Sequence, residues 1–179
     1  MKEWNVVVTS QMRQENRVLK ELADLGEFAR SGFTSVLVGK VRDIVEFMDT
    51  LKVRWEGQAF LYPQIFGMVA PVKVMFPFTL ENLLHRLKEE MLALGPELKG
   101  KAFYVRVKRR GHKGEVHSQE LEQALDQFLQ AEVCAREEEC RVDFDRADVI
   151  VLVEILHNQC GVGLITREMK ERYPFIKIK

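Results

Sequence analysis

The run DVIVLVEIL, from Asp148 to Leu156, is apolar at almost every position, and a strand of that composition has to be covered on both faces. Nothing else in the chain constrains the fold as tightly. Upstream, Ala102 to Val107 alternates, with Phe103, Val105 and Val107 on one side and Tyr104, Arg106 and Lys108 on the other, which predicts a strand with one polar face. Between them, Ser118 is placed to cap a helix running to about Gln130. Glu120 lies in its first turn, and Leu121, Leu125, Phe128 and Leu129 face inward. Strand, helix and buried strand in this order form a right-handed crossover that lays the two strands parallel in one sheet. Asn158 to Gly161 reads as a turn into a strand at Val162 to Thr166, and Phe175 to Ile178 as a last short strand.

The first part of the chain also alternates. Asn5 to Thr9 and Phe33 to Val38 are β-prone runs, each followed by a helical stripe: Val18, Leu19, Leu22 and Leu25, then Val41, Ile44, Val45, Met48 and Leu51. From Lys52 to Phe78 periodicity fades, Pro63, Pro71 and Pro77 interrupt it, and Val72 to Phe76 reads as an edge strand. A boundary is expected there, separating residues 1–75 from 76–179. Thr79 is the expected N-cap of the next helix, whose Leu80, Leu83, Leu84, Leu87 and Met91 form a stripe ending near Gly95 and Pro96. That stripe and the one at Leu121 to Leu129 are expected to face the core, because strands flank both.

Lys plus Arg equals Asp plus Glu, 27 of each, so attraction to an anion has to come from local segregation of charge. The segregation is present. Lys99 to Gly114 holds seven basic residues and no acidic one, whereas Glu115 to Asp148 holds eleven acidic residues against three arginines. Guanidinium and ammonium groups neutralise phosphates and release counterions. Gly111 and Gly114 admit close backbone approach, and Tyr104 on the basic face offers a stacking surface for an unpaired base. A basic strand edge also serves to block edge pairing, but the missing carboxylates favour a polyanion.

Cys134, Cys140 and Cys160 are an odd number with no CxxC pair, which suits a reducing, cytoplasmic setting and argues against a disulfide framework or a thiolate metal cage. No metal and no cofactor are expected, since no nucleotide-binding glycine motif, phosphate loop or nucleophile elbow occurs. No apolar stretch approaches the length of a membrane span.

The run FYVRVKRRGHKG (Phe103 to Gly114), a capped helix, and the block VDFDRADVIVLVEILHNQCGVGLITRE (Val142 to Glu168) together resemble the second half of a THUMP domain. That family shows a basic strand and loop, a helix, a Val-Asp-Leu type lead-in, here Val142, Asp143 and Phe144, and a strand ending in Val-Glu-Ile, here Val153, Glu154 and Ile155. With the leucine-rich helix from Thr79, the resemblance covers about Phe76 to Lys179. It implies an α/β (α+β) architecture in which residues 1–75 form a ferredoxin-like subdomain and residues 76–179 a THUMP-like domain with a mixed, largely parallel sheet. It also implies RNA binding, typically of tRNA, in the service of a separate tRNA-modifying enzyme, as in stand-alone adaptors of tRNA acetylation. The residues carried over as phosphate contacts are Arg106, Lys108, Arg109, Arg110, His112 and Lys113, with Lys101 and Tyr104 in support and Arg167, Lys170 and Arg172 extending the surface.

On this reading the protein is a non-catalytic, salt-sensitive binder of tRNA or another structured RNA. Replacing Arg109 and Arg110 with Glu is expected to abolish binding and leave the fold intact. Two alternatives stand beside it. One is an RNA-processing or RNA-modifying enzyme using His112 and His117 as acid and base. The other is an interaction module whose acidic stretch, Glu132 to Asp148, recruits a basic protein.

Overall fold

The computed structural model describes residues 1–135 and 139–179. The chain divides into Met1–Val72 with Glu168–Lys179, and Lys73–Arg167. Neighbouring hydrogen bonds set the division: Val72 N–H donates to the Asn5 carbonyl in the first unit, and Lys73 N–H to the Val162 carbonyl in the second. It falls three residues before the 75/76 boundary expected from the sequence, and the last twelve residues join the first unit.

In the first unit the order is β1 (Val6–Ser10), α1 (Glu15–Leu22), β2 (Glu27–Arg30), β3 (Val36–Lys40), α2 (Ile44–Gly57), α3 (Tyr62–Ile65) and β4 (Phe66–Pro71). The sheet runs β2-β3-β1-β4 with every neighbouring pair antiparallel. β2 and β4 lack the continuous β-branched run that marks β1, and the sequence gives no signal for them. Gly67 in β4 is required by space, because a Cβ there would lie 2.4 Å from Thr9 Oγ1, the atom that accepts a hydrogen bond from Met68 N–H. Asp43 caps α2 by accepting from Glu46 N–H at 2.9 Å, and α2 buries Phe47, Met48, Leu51 and Trp55. The strand expected at Phe175 to Ile178 does not form. Phe175 accepts one backbone bond from Val69 N–H and packs its ring 5.5 Å from Trp55, an anchor and not a ladder.

The second unit contains β5 (Val74–Pro77), α4 (Leu83–Ala93), α5 (Gly95–Leu98), β6 (Ala102–Arg110), α6 (Ser118–Phe128), a π-helical turn at Leu129–Val133, β7 (Arg141–Val142), β8 (Val149–Leu156) and β9 (Gln159–Thr166). A short helix, α7 (Arg167–Arg172), then leads out. The sheet order is β5-β9-β8-β6-β7. β6 pairs in parallel with β7 and β8, while β9 is antiparallel to β8 and β5. The sheet is therefore mixed, and the crossover from β6 through α6 to parallel β8 is the one read from the sequence. All eight residues of β8 are buried.

One face of this sheet, including Phe103, Val105, Val107, Val151 and Val153, packs with Leu83, Leu87, Met91, Leu125 and Leu129. Truncating a fully buried leucine such as Leu125 to alanine costs about 2–5 kcal/mol. The expected N-cap at Thr79 is displaced: Thr79 N–H donates to Asn82 Oδ1 at 2.8 Å, making a turn that delays α4 until Leu83. The helical stripe is also incomplete as core, since Leu80 and Leu84 stay 43% and 38% exposed. Cys134 and Cys140, expected as separate thiols, are joined in a disulfide, which ties the end of the π-helical turn to the start of β7. Cys160 is the free, buried cysteine. Among the described residues no helix is long and apolar enough to cross a membrane.

Candidate nucleic-acid interface

β6 carries most of the basic residues, and its two edges differ. One pairs with β8 along its length. The other meets β7 only at Ala102 and Phe103, leaving later N–H groups in search of acceptors. α6 supplies them: Asp126 Oδ1 accepts from Val105 N–H and Glu122 Oε1 from Val107 N–H, both at 2.8 Å. Four residues on a helix make about one turn, which sets these carboxylates on one face at a spacing matching alternate donors of a strand. Burial pushes the Asp126 carboxyl up to about 6, with Glu122 adding to the rise, while the Val105 N–H and Arg106 oppose it.

The basic residues are less free than their sequence neighbourhood implies. Arg110 forms an ion pair with Glu154, a fully buried carboxylate whose own protonation is favoured by burial and opposed by Arg110 and Lys108. Arg106 lies 3.5 Å from Glu122 Oε2 and stacks its guanidinium 5.3 Å from the Tyr104 ring centre. Arg109 donates to the Gly111 carbonyl. His112, with left-handed φ of 50°, donates from Nε2 to the His157 carbonyl at 2.7 Å. Its Nδ1 lies 3.2 Å from Glu115 and its ring lies against Phe78. The compensating carboxylates thus exist, but they come from α6, β8 and the loop, beyond the window that contained no acid. This corrects the expected effect of Arg110→Glu, which sets a second carboxylate against buried Glu154 and disturbs the fold.

Among the described residues none of Lys99, Lys101, Lys108 and Lys113 is held in an ion pair, although Lys108 stands opposite Glu154 on β8 and favours its charged form. Lys99 and Lys101 precede β6, Lys108 lies on the face shared with Tyr104 and Arg106, and exposed Lys113 follows the strand. At about 3.3 Å per residue, β6 separates the two ends of this row by roughly 27 Å. The expected residues therefore form an elongated track and not one cluster. Arg167 at the end of β9 is paired with Asp148 at 3.0 Å and also donates to the Arg146 and Ala147 carbonyls. Lys170 and Arg172 belong to the first unit, where Arg172 pairs with Asp49 at 2.8 Å.

A residue outside the expected set completes the track. Phe144 is 64% exposed and packs 5.3 Å from Tyr104 with the two rings tilted by 35°, Tyr104 itself being buried. An exposed phenyl ring against a buried tyrosine, with Arg106 over the tyrosine and Lys108 farther along the same strand face, is a platform on which an unpaired base can stack while cations hold its phosphate. The sequence signal was the aromatic residue in the Val-Asp-Phe lead-in, but its pairing with Tyr104 depends on β7 lying beside β6.

His117 is exposed and shares no hydrogen bond with His112. Among the described residues no three His, Cys, Asp or Glu side chains converge as a metal site would require. Of the acidic stretch from Glu132 to Asp148, residues 136–138 lie outside the described residues. Asp143 and Asp148 serve as internal acceptors, from Arg146 N–H and Ala102 N–H respectively.

Residues 81–165 match the THUMP domain family. Comparison with curated proteins finds no match. Among solved structures, the chain is similar to TrmN from Thermus thermophilus at TM-score 0.66 and 22% identity, covering 90% of this chain and 45% of that one. It is also similar to PH1313 from Pyrococcus horikoshii, at TM-score 0.59 and 15% identity over 92% of this chain and 55% of that one. A 4-thiouridine synthetase, solved as an RNA complex with bound ATP, aligns at TM-score 0.58 and 13% identity over 91% and 41%. The chain thus spans about half the length of these structures, and at these identities the likeness is one of fold.

Proposed function

We propose, on the premise that residues 81–165 are a THUMP domain, that this protein binds tRNA and presents it to a separate modifying enzyme, taking no part in the chemistry itself. A THUMP domain implies RNA binding in the setting of tRNA modification, and that match is the observation that carries the reading. The side chains support it in a specific form. Lys101, Lys108 and Lys113 contact phosphates along β6, Phe144 on Tyr104 stacks an unpaired base, and Arg106 stiffens the platform through Tyr104. Arg109, Arg110, His112 and Arg167 hold the unit together through the internal bonds described above.

The adaptor role draws support from the state of the reactive groups. Both His112 nitrogens are engaged, and the Cys160 thiol is buried and pushed well above its ordinary range by that burial. The first unit, whose strands and helices follow the order β1-α1-β2-β3-α2-α3-β4, with α3 a single short turn, and whose sheet order is β2-β3-β1-β4, is read as a ferredoxin-like companion to the RNA-binding domain. A tRNA ligand is what supports a cytoplasmic setting, since the Cys134–Cys140 disulfide does not.

The test incubates the purified chain with bulk tRNA, measures retention on filters, and analyses the nucleosides by mass spectrometry with and without S-adenosylmethionine or ATP. Retained tRNA with unchanged nucleosides is expected. A new modified nucleoside overturns the adaptor role, and no retention at low salt overturns RNA binding.

A further inference from the structure

We infer that the groove between the N-terminal halves of α4 and α6 docks a basic amphipathic helix of a partner protein. The groove has a volume of about 290 Å³ and is lined by Leu80, Leu83, Leu84, Leu121, Val116 and Ala124, with Glu115, Glu120 and His117 on its rim. Leu83 and Val116 belong to the core beneath. Leu80, in the turn that precedes α4, and Leu84, in the first turn of α4, are exposed, and Leu121 on α6 is partly buried. The two helices therefore leave an apolar floor uncovered, although each also packs on the sheet. An amphipathic helix fills such a floor with side chains at helical spacing.

Charge selects among the possible occupants. The rim adjoining the floor carries Glu115 and Glu120 and no lysine or arginine. Glu115 is 57% exposed, sharing its charge with His112, and Glu120 lies in the first turn of α6. Carboxylates here repel the phosphates of RNA and of anionic lipid headgroups, and attract lysine or arginine. Farther along the same helices, outside the groove, Lys88 stands 5.3 Å over the Phe128 ring. The docked helix accordingly has leucine-type side chains on one face and its basic residues at the end facing Glu115 and Glu120. This surface shares no residue with the RNA track, so it stands or falls separately from that reading.

The test uses a synthetic helix-forming peptide with leucines along one face and lysines elsewhere. One control replaces its lysines with glutamates, and a second replaces its leucines with serines. Binding to the full chain is followed through the backbone amide NMR signals of Leu80, Leu84, Glu120 and Leu121. Saturable shifts at these amides are expected with the first peptide, with affinity falling at least about tenfold for either control, since even one buried leucine or one rim charge pair is worth about that factor. Leu84→Ser in the protein weakens binding by a similar factor, and Glu120→Lys, a surface change, shifts preference toward the glutamate peptide. Equal binding of the controls, or shifts mapping to other residues, overturns the proposal. It is likewise overturned if these amides respond to tRNA, or to concentration of the protein alone, since RNA or a second copy would then be the occupant.

Discussion

Replacing Asp126 with Asn separates the two things this side chain does in the folded protein. Its oxygen accepts the Val105 N–H bond at 2.8 Å, a service Asn Oδ1 can repeat, and its charge is held in a site where only 7% of the residue is exposed. Burial raises the folded pKa to about 6 from an ordinary 3.8. The native state therefore binds the proton more tightly than the unfolded chain, and stability falls as pH rises between those two values. At 1.36 kcal/mol per pH unit the loss amounts to roughly 3 kcal/mol by pH 7 and then levels off. Asp126→Asn has no charge to bury. In urea unfolding from pH 3.5 to 8, the stability of Asp126→Asn relative to wild type is expected to climb by that amount, with nearly all the change between about pH 4 and 6. Asp126→Ala removes the acceptor as well and leaves a buried N–H unpaired, for a penalty of about 1–3 kcal/mol. A wild-type to Asn difference that stays constant with pH refutes the claim that α6 holds a buried, hard-to-ionise carboxylate against the β6 edge.

Arg110→Ala is expected to destabilise the second unit by about 3–5 kcal/mol, because it leaves Glu154 buried without its partner. Thermal melting measures the loss, and Arg110→Met with Glu154→Leu should recover most of it. A melting temperature unchanged by the single substitution contradicts the pairing. Phe144→Ala removes an exposed ring and should change stability by less than about 1 kcal/mol, yet weaken RNA binding by about 1–3 kcal/mol, the worth of one stacked base. Wild-type affinity in that variant removes Phe144 and Tyr104 from the interface.

The sequence was most informative where one short segment decides the outcome. β8 declares itself through continuous apolar character, and the β6–α6–β8 crossover follows from local periodicity and chain order. β2 and β4 stayed hidden because their pairing with β3 and β1 is what makes them strands, their own residues being weakly β-prone. Phe175 to Ile178 looked like a strand because its residues favour one, yet no neighbouring strand accepts it.

The basic track was half legible. Counting charges from Lys99 to Gly114 marked a candidate region but missed Glu122 and Glu154, which the fold brings beside Arg106 and Arg110. Lysines, with flexible stems and no fork to satisfy, are the charges left for a ligand, whereas the arginines became structural. Phe144 was visible as a residue but not as a site, since only the β6–β7 pairing brings it to Tyr104.

The salt dependence of tRNA affinity in a Lys101→Ala, Lys108→Ala, Lys113→Ala variant bears most directly on whether β6 is the RNA-binding strand. Each phosphate contact removed should flatten the slope of log affinity against log salt by about 0.7–0.9, so the variant is expected to lose roughly 2 to 3 units of slope while melting like wild type. A variant with the wild-type slope and affinity contradicts the account.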